Sequence, residues 1–327
     1  MLIEYPESYN RFSCLKDECP DTCCKEWEVD IDEESRQYYM QVPGPFGERL
    51  RSHMTQEEGE CFFAMTEEGN CPFLDKKGLC EMYTALGEES LCRVCTEYPR
   101  YYMEIGNYEQ IDMSLSCPAL GRLLFEGKGP ILYERAEDEG IAEELSLEEE
   151  ERLAGILDLR DEAIMILQGK TDLPLKERLK EADLFYEEDD RALMETAARF
   201  EILSSRCAGI LDGISANLEG IQRAEAQFDS LHGEKYDAWF TKLSVYLTWR
   251  YMIDLWFDSD KEQIRRMISR SLRLIKLMCV SRFAGYEPET DRIPAAPLET
   301  ADIIDLAHYY SKQVEHSDEN VSFMKGL

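Results

Sequence analysis

Apolar side chains recur every three to four positions through most of the second half of the chain. Leu153, Ile156, Leu157 and Ile164 fall close to one helical face, and the same spacing repeats over 173–185, 189–229 and 236–257. A further amphipathic helix is predicted over 261–280. Ile264, Met267, Ile268, Leu272 and Ile275 share one side; Lys261, Arg265, Arg266, Arg270, Arg273 and Lys276 share the other. Ser146-Leu147-Glu148-Glu149 fits a capping box, with Glu149 at the third helical position. Pro294, Pro297 and a cap before Ile303 start the last helix, and the tail after His316 is expected to fray. No internal repeat of fixed period is evident.

The first third reads differently. Val42-Pro43-Gly44-Pro45-Phe46-Gly47, Glu68-Gly69-Asn70 and Lys76-Lys77-Gly78 are turn signals, and little periodicity lies between them. Short helices and loops are expected there. Residues 131–151 hold ten acidic side chains and one basic one, as in a solvated linker or helix entry.

Cysteine usage sharpens that division. Ten of twelve cysteines lie between Cys14 and Cys117, and only Cys207 and Cys279 follow, on helical faces where a thiol packs as a small apolar group. The spacing runs C-x4-C-x3-C-C (Cys14, Cys19, Cys23, Cys24), then Cys61, C-x8-C (Cys71, Cys80), C-x2-C (Cys92, Cys95) and Cys117. Such density suits a disulfide scaffold in an exported protein. The opening MLIEYPESYN has neither a basic nor an apolar signal region, and no stretch approaches the roughly 18 apolar residues that span a bilayer. A cytosolic location is expected, which turns the reading toward metal binding or redox chemistry. Cys19-Pro20, Cys71-Pro72 and Cys117-Pro118 fix the chain direction just after a sulfur, and His53 is the only histidine nearby. An all-thiolate set suits an iron–sulfur cluster or zinc. Only Cys92/Cys95 has the form of a zinc knuckle, and the adjacent Cys23 and Cys24 point differently, so an iron–sulfur cluster is preferred and zinc is the alternative.

The fold expected is therefore mainly α. An irregular cysteine-rich metal-binding domain fills 1–127, an acidic linker or helix entry 128–151, and a helical domain 152–327. Net charge is −32; residues 1–127 hold 26 acidic and 11 basic side chains (−15), leaving −17 for the rest. A field of that sign repels nucleic acid and anionic membrane, and neither is an expected partner. It attracts basic partners. The basic face of 261–280 is expected to pair with the chain's own carboxylates.

At these cysteines the sequence resembles the flagellin lysine-N-methylase family. The resemblance is carried by Phe12-Ser13-Cys14, Asp21-Thr22-Cys23-Cys24-Lys25-Glu26-Trp27, Val29-Asp30-Ile31-Asp32, Cys71-Pro72-Phe73-Leu74-Asp75 and Gly78-Leu79-Cys80. Leu86-Gly87-Glu88, Cys95-Thr96-Glu97-Tyr98-Pro99-Arg100 and Ser114-Leu115-Ser116-Cys117-Pro118 continue it, within roughly residues 10–125. The Cys-Cys, Cys-Pro-Phe-Leu and Cys-x-x-Tyr-Pro pieces also look like a broader group of zinc- or iron-chelating proteins. The resemblance implies methyl transfer from S-adenosylmethionine to lysine amines, flagellin or another lysine-rich protein as substrate, and an iron–sulfur cluster, a 4Fe-4S centre foremost. On that analogy the ligand pool is Cys14, Cys19, Cys23, Cys24, Cys71, Cys80, Cys95 and Cys117. Cys61 and Cys92 stand outside the motifs as spare, buried thiols.

Methylating a lysine needs a neutral amine, hence a base or a desolvating pocket. Asp30 is a candidate to accept that proton, against the plainer role of capping a helix together with Asp32. Trp27 is a candidate to hold a cation over its ring, or simply to cover the metal. Tyr98 and Arg100 are the leading non-cysteine candidates, with Arg100 able to fork onto the donor's carboxylate. No Gly-rich strand–helix turn occurs, so a Rossmann-type donor site is not expected. The donor is expected to bind in the cysteine domain or between it and the helices. The competing reading is a non-enzymatic zinc- or iron-binding module that mediates protein interaction.

Overall fold

The computed structural model describes residues 1–25, 27, 29–57, 59–138, 144–257, 259–286 and 297–327. Among them the fold is mainly α, as expected, with short strands beside the helices. They form two compact units, one of Ser13–Tyr101 with Cys117–Ala119, the other of Met1–Phe12, Tyr102–Ser116 and Leu120–Leu327.

This division departs from a single boundary at 127. Strand β1 (Leu2–Pro6) runs parallel to β6 (Tyr108–Met113) and antiparallel to β7 (Tyr133–Glu137), while β5 (Arg100–Ile105) borders β6. Sheet pairing thus draws the start of the chain, and part of the supposed linker, into the helical unit. Residues 139–143 of that linker lie outside the described residues.

In the thiol unit, α1 (Ser8–Arg11) precedes a 3-10 turn at Lys16–Glu18, and β2 (Val29–Asp30), β3 (Met54–Glu57) and β4 (Glu60–Phe63) form a sheet of order β2-β4-β3. The turn and sheet lie within the unit, whereas α1 belongs to the helical one. Helices α2 (Glu33–Gln41) and α3 (Gly44–His53) fill the gap between β2 and β3. Asp32 caps α2, its carboxylate accepting from the backbone N–H of Ser35 at 2.9 Å. Val29, Ile31, Tyr39, Leu50, Phe63 and Phe73 make a small core, in which Phe63 and Phe73 meet edge to face at 4.9 Å. Short α4 (Glu81–Leu86) and α5 (Arg93–Glu97) follow, and α6 (Pro118–Glu126) begins in this unit and ends in the other.

The helical unit continues with α7 (Leu147–Gly169), α8 (Leu175–Glu181), α9 (Asp190–Ala197), α10 (Ser205–Met252), α11 (Lys261–Ala284), α12 (Thr300–Val314) and α13 (Asp318–Lys325). Ser146 and Glu149 form the expected capping box on α7. The continuous 189–229 stretch is interrupted at 198–204, and no break separates 229 from 236, because α10 runs through both. Its one interruption is Asn217, at φ −127° and ψ 22°, whose side-chain amide donates to Gly213 O. Glu299 and Asp302 make the cap that starts α12; Pro294 lies outside the described residues. The tail after His316 is ordered rather than frayed, since α13 buries Asn320 and Met324.

Two polar features hold this unit. Arg160 on α7 is 1% exposed, stacks over Trp249 at 4.0 Å and donates to Glu4 at 2.6 Å and to Tyr108 and Gln110 at 2.7 Å. The basic face of α11 is matched by carboxylates: Arg265 with Asp183 at 2.5 Å, Arg270 with Glu188 at 2.6 Å, Arg273 with Asp190 and Glu225 at 2.6 Å. That face is spoken for inside the protein, as its sequence suggested.

Candidate metal centre

Local structure explains how widely spaced cysteines come together. Between Cys71 and Cys80 the chain reverses on itself. Asp75 accepts from the backbone N–H groups of Lys77 at 2.7 Å and Leu79 at 2.9 Å, and Gly78 takes φ +78°, which a side chain disfavours. Leu74 and Cys80 pair as a result. The Cys-Cys segment then docks on this hairpin: Cys71 N–H donates to Cys24 O at 2.8 Å, and Lys25 pairs with Asn70. Cys92 sits at the N-cap of α5, and the first helical turn brings its sulfur to 3.4 Å from that of Cys95.

The thiols interact in two overlapping groups. Cys23 is hydrogen-bonded to Cys24 and lies in the field of Cys14 and Cys117. Cys71 and Cys80 feel Cys24 and Cys92, and Cys95 feels Cys23 and Cys24. Cys24 links the groups. Each close pair shares a proton unequally. Hydrogen bonding to Cys24 holds the Cys23 proton on well above the ordinary thiol range, and hydrogen bonding to Cys92, with burial, does the same for Cys95. The neighbours ionise more easily: donation from Cys23 outweighs burial and brings Cys24 down to about 7, and Cys92 is lowered by Cys95. Burial pushes Cys71 up to about 12 and raises Cys80. All twelve cysteines are free thiols.

Among the described residues, no three Cys, His, Asp or Glu side chains converge as a ready metal cage. The thiols stand pair by pair instead. Their donor chemistry fits a thiophilic metal, because several sulfurs in a half-apolar setting resist joint ionisation. A metal ion or cluster, were one bound, would supply positive charge there and favour the thiolate forms.

Cys92, expected to be a spare, buried thiol, is buried, and its sulfur lies 3.4 Å from that of Cys95, its partner in the C-x2-C spacing. Cys61 does stand apart, beside Arg36 and Glu33, but is half-buried rather than buried. Cys19 ends the 3-10 turn, its N–H donating to Lys16 O at 3.1 Å, and the exposed Cys14 sulfur accepts from Lys16 N–H at 3.4 Å.

Of the other candidates, Trp27 and Tyr98 come together. Their rings stack 6.1 Å apart at 27°, and the Trp27 indole N–H donates to Cys23 O at 2.5 Å. Arg100, two residues on, reaches Glu97 O at 3.4 Å. Asp30 lines a cleft of about 410 Å³ whose acidic wall is Asp30, Asp32, Glu33, Glu60 and Glu97. Asp32 is committed to capping and to Arg93 N–H, Glu33 to Arg36 and Glu97 to Arg93. Asp30 and Glu60 have no ion-pair partner among the described residues, and Cys61 is on the same wall. A roomier cleft of about 660 Å³ opens at the Asn217 kink of α10, lined by Arg191, Glu195, Arg223 and Tyr286. It carries no cysteine, so the acidic cleft is the better candidate for work near the thiols.

A thiol-rich unit with an acidic cleft defines a class of candidate metalloprotein rather than one activity. Comparison with known proteins narrows it: the chain is similar to lysine-N-methylases. It is 28% identical over 143 residues to the lysine-N-methylase of Salmonella typhimurium, covering 41% of this chain and 35% of that protein. The lysine-N-methylase of Salmonella choleraesuis matches to the same extent. Flagellar biosynthetic protein FliU of Salmonella muenchen is 28% identical over 125 residues, 36% of this chain and 73% of that protein. The chain spans about a third of the length of the two lysine-N-methylases. No family model and no solved structure matches it. No helix among the described residues is long and apolar enough to cross a membrane.

Proposed function

We propose that this chain is a protein lysine N-methyltransferase that uses S-adenosylmethionine, carries an iron–sulfur centre on its thiols, and acts on flagellin or another lysine-rich protein. The observation that carries the reading is the similarity to two lysine-N-methylases in a chain that concentrates ten of its twelve cysteines between Cys14 and Cys117. Cys14, Cys19, Cys23, Cys24, Cys71, Cys80, Cys92, Cys95 and Cys117 are the pool from which the ligands come. A bound cluster would supply concentrated positive charge that keeps thiolates ionised and ties the short elements of the unit together.

The chain's own residues take the remaining roles. At an ordinary lysine pKa near 10.4, roughly one amine in 2,500 is neutral at pH 7. Asp30 and Glu60 draw the cationic side chain into the cleft, and Asp30 accepts its proton. The freed nitrogen attacks the donor's methyl carbon as the carbon–sulfur bond breaks, leaving methyl-lysine and S-adenosylhomocysteine. The Trp27–Tyr98 pair holds a cation against its ring faces, and Arg100 binds the donor carboxylate.

Metal analysis of protein purified without oxygen tests the centre. Iron and sulfide at several atoms per chain, with a brown colour, is the expected result. A colourless protein with stoichiometric zinc and no sulfide would establish the alternative, a zinc-folded interaction module.

A further inference from the structure

Helix α3 turns one side toward the Cys71–Cys80 reversal. Phe46, Arg49, Leu50 and His53 recur at intervals of three and four, which sets them on a common face. The Phe46 ring lies 5.9 Å from that of Phe73, His53 meets Phe73 edge-on at 5.8 Å, and the Arg49 guanidinium stands over the same ring at 5.0 Å. The rings are accounted for by covering Phe73, which is fully buried. Arg49 is not, because holding a long charged side chain in one place costs rotamer freedom that other contacts must offset.

Those contacts fall on the residues that follow the two cysteines. One guanidinium nitrogen donates at 2.5 Å to Pro72 O, the carbonyl just after Cys71. Another lies against the carboxylate of Glu81, just after Cys80, as an ion pair rather than an aligned hydrogen bond. A single planar fork thus holds both legs of the reversal. Backbone rungs join the legs to each other, Asp75 N–H to Leu79 O and Glu81 N–H to Phe73 O, both at 2.8 Å. Arg49 ties them to a regular helix. The ring of Pro72 fixes its φ, so holding its carbonyl leaves Cys71 little freedom. The charges that act on both Cys71 and Cys80 belong to other thiols, Cys24 and Cys92. Arg49 therefore works through the backbone and not as the counter-charge of a thiolate.

We infer that Arg49 is a positioning residue that sets Cys71 and Cys80 as a pair of metal-binding thiols, with α3 as its platform. The inference rests on reading the thiols as a metal centre. Every residue it uses belongs to one stretch of one compact unit, Ser13–Tyr101.

The test is the alkylation rate of Cys71 and Cys92 in the metal-stripped full-length chain, read by peptide mass spectrometry, together with metal content before stripping. Arg49→Ala should raise the Cys71 rate roughly fivefold, the scale of one lost hydrogen bond, leave the Cys92 rate unchanged and lower metal content. Arg49→Lys keeps the charge for Glu81 but not the fork, and should recover part of each effect. The control is Arg51→Ala. Arg51, on the same helix, donates instead to Tyr39 O, Met40 O and Val42 O at 3.2, 3.3 and 2.9 Å, so its loss loosens α2 from α3 without releasing the reversal. An unchanged Cys71 rate in Arg49→Ala, an equal rise at Cys92, or the same selective rise in Arg51→Ala would overturn the proposal. Failure of the metal-centre reading looks different: Cys71→Ser and Cys80→Ser would then keep wild-type metal content while the selective rise in Arg49→Ala held.

Discussion

Cys92 and Cys61 look alike in the sequence, both lying outside the resembling motifs, yet the fold treats them oppositely. Cys92 caps α5 with its sulfur against Cys95, whereas Cys61 faces the acidic cleft. Cys92→Ser should therefore lose metal to the same degree as Cys95→Ser, and Cys61→Ser should keep it, as measured by metal content per chain. Cys207 and Cys279 provide the contrast. Both are buried in the helical unit, at 1% and 0% exposure, so serine there should leave metal content unchanged and cost about 1–3 kcal/mol of stability from burying a hydroxyl. Loss of metal from all five variants would contradict the division of the cysteines. The residue types and most of the donor pool were legible because thiols concentrate in one region. Which sulfurs meet was not, because that depends on Cys71 bonding to Cys24, a contact between segments tens of residues apart.

Elements were readable where periodicity and caps agreed, as for α7 with its Ser146–Glu149 box and α11 with its basic face. They were not readable where tertiary pairing decides. β1, β6 and β7 are too short and too polar to announce themselves, and buried Glu4 on β1 has meaning only against Arg160 on α7. That pair makes a sharp prediction. Arg160→Met should destabilise the helical unit by about 3–5 kcal/mol, because it removes the buried partner of Glu4 and leaves only the largely exposed Arg135 opposite that carboxylate, and adding Glu4→Gln should restore part of the loss in chemical denaturation. The pH dependence follows the same pair. Burial raises the Glu4 pKa, but the Arg160 charge and hydrogen bonds from Arg160, Arg135 and Tyr108 outweigh it, so the folded value lies below 4.5. The unfolded chain then binds the proton more readily. The stabilisation is fully present above about pH 4.5 and is lost as pH falls through the folded value. Glu4→Gln should flatten the acid limb of stability in that window, and an unchanged limb would show that Glu4 is not held ionised.

At the scale of the molecule, the chain does not pass through its two compact units in a single order. The chain enters the helical unit, leaves it at Ser13, returns at Tyr102, visits the thiol unit again for Cys117–Ala119, and ends among the helices. A boundary drawn from composition cannot show such a return, because residues 102–116 carry no compositional break. Net charge of −32 also acts at this scale. If the acidic field steers a basic substrate, the rate at subsaturating substrate should fall as salt rises from low to physiological strength, where the screening length shrinks to about 8 Å. A salt-independent rate would assign recognition to the cleft alone.

The central claim is methyl transfer, and its most direct measurement is mass spectrometry of a lysine-rich substrate, flagellin foremost. The substrate is incubated with S-adenosylmethionine and metal-replete protein. Added methyl masses are expected on lysine-containing peptides, at a rate that rises with pH as more amine is neutral, and little or none with Cys95→Ser or Asp30→Asn. Unmodified flagellin and unmodified lysine-rich substrates, in the presence of protein shown to hold its metal, would contradict it.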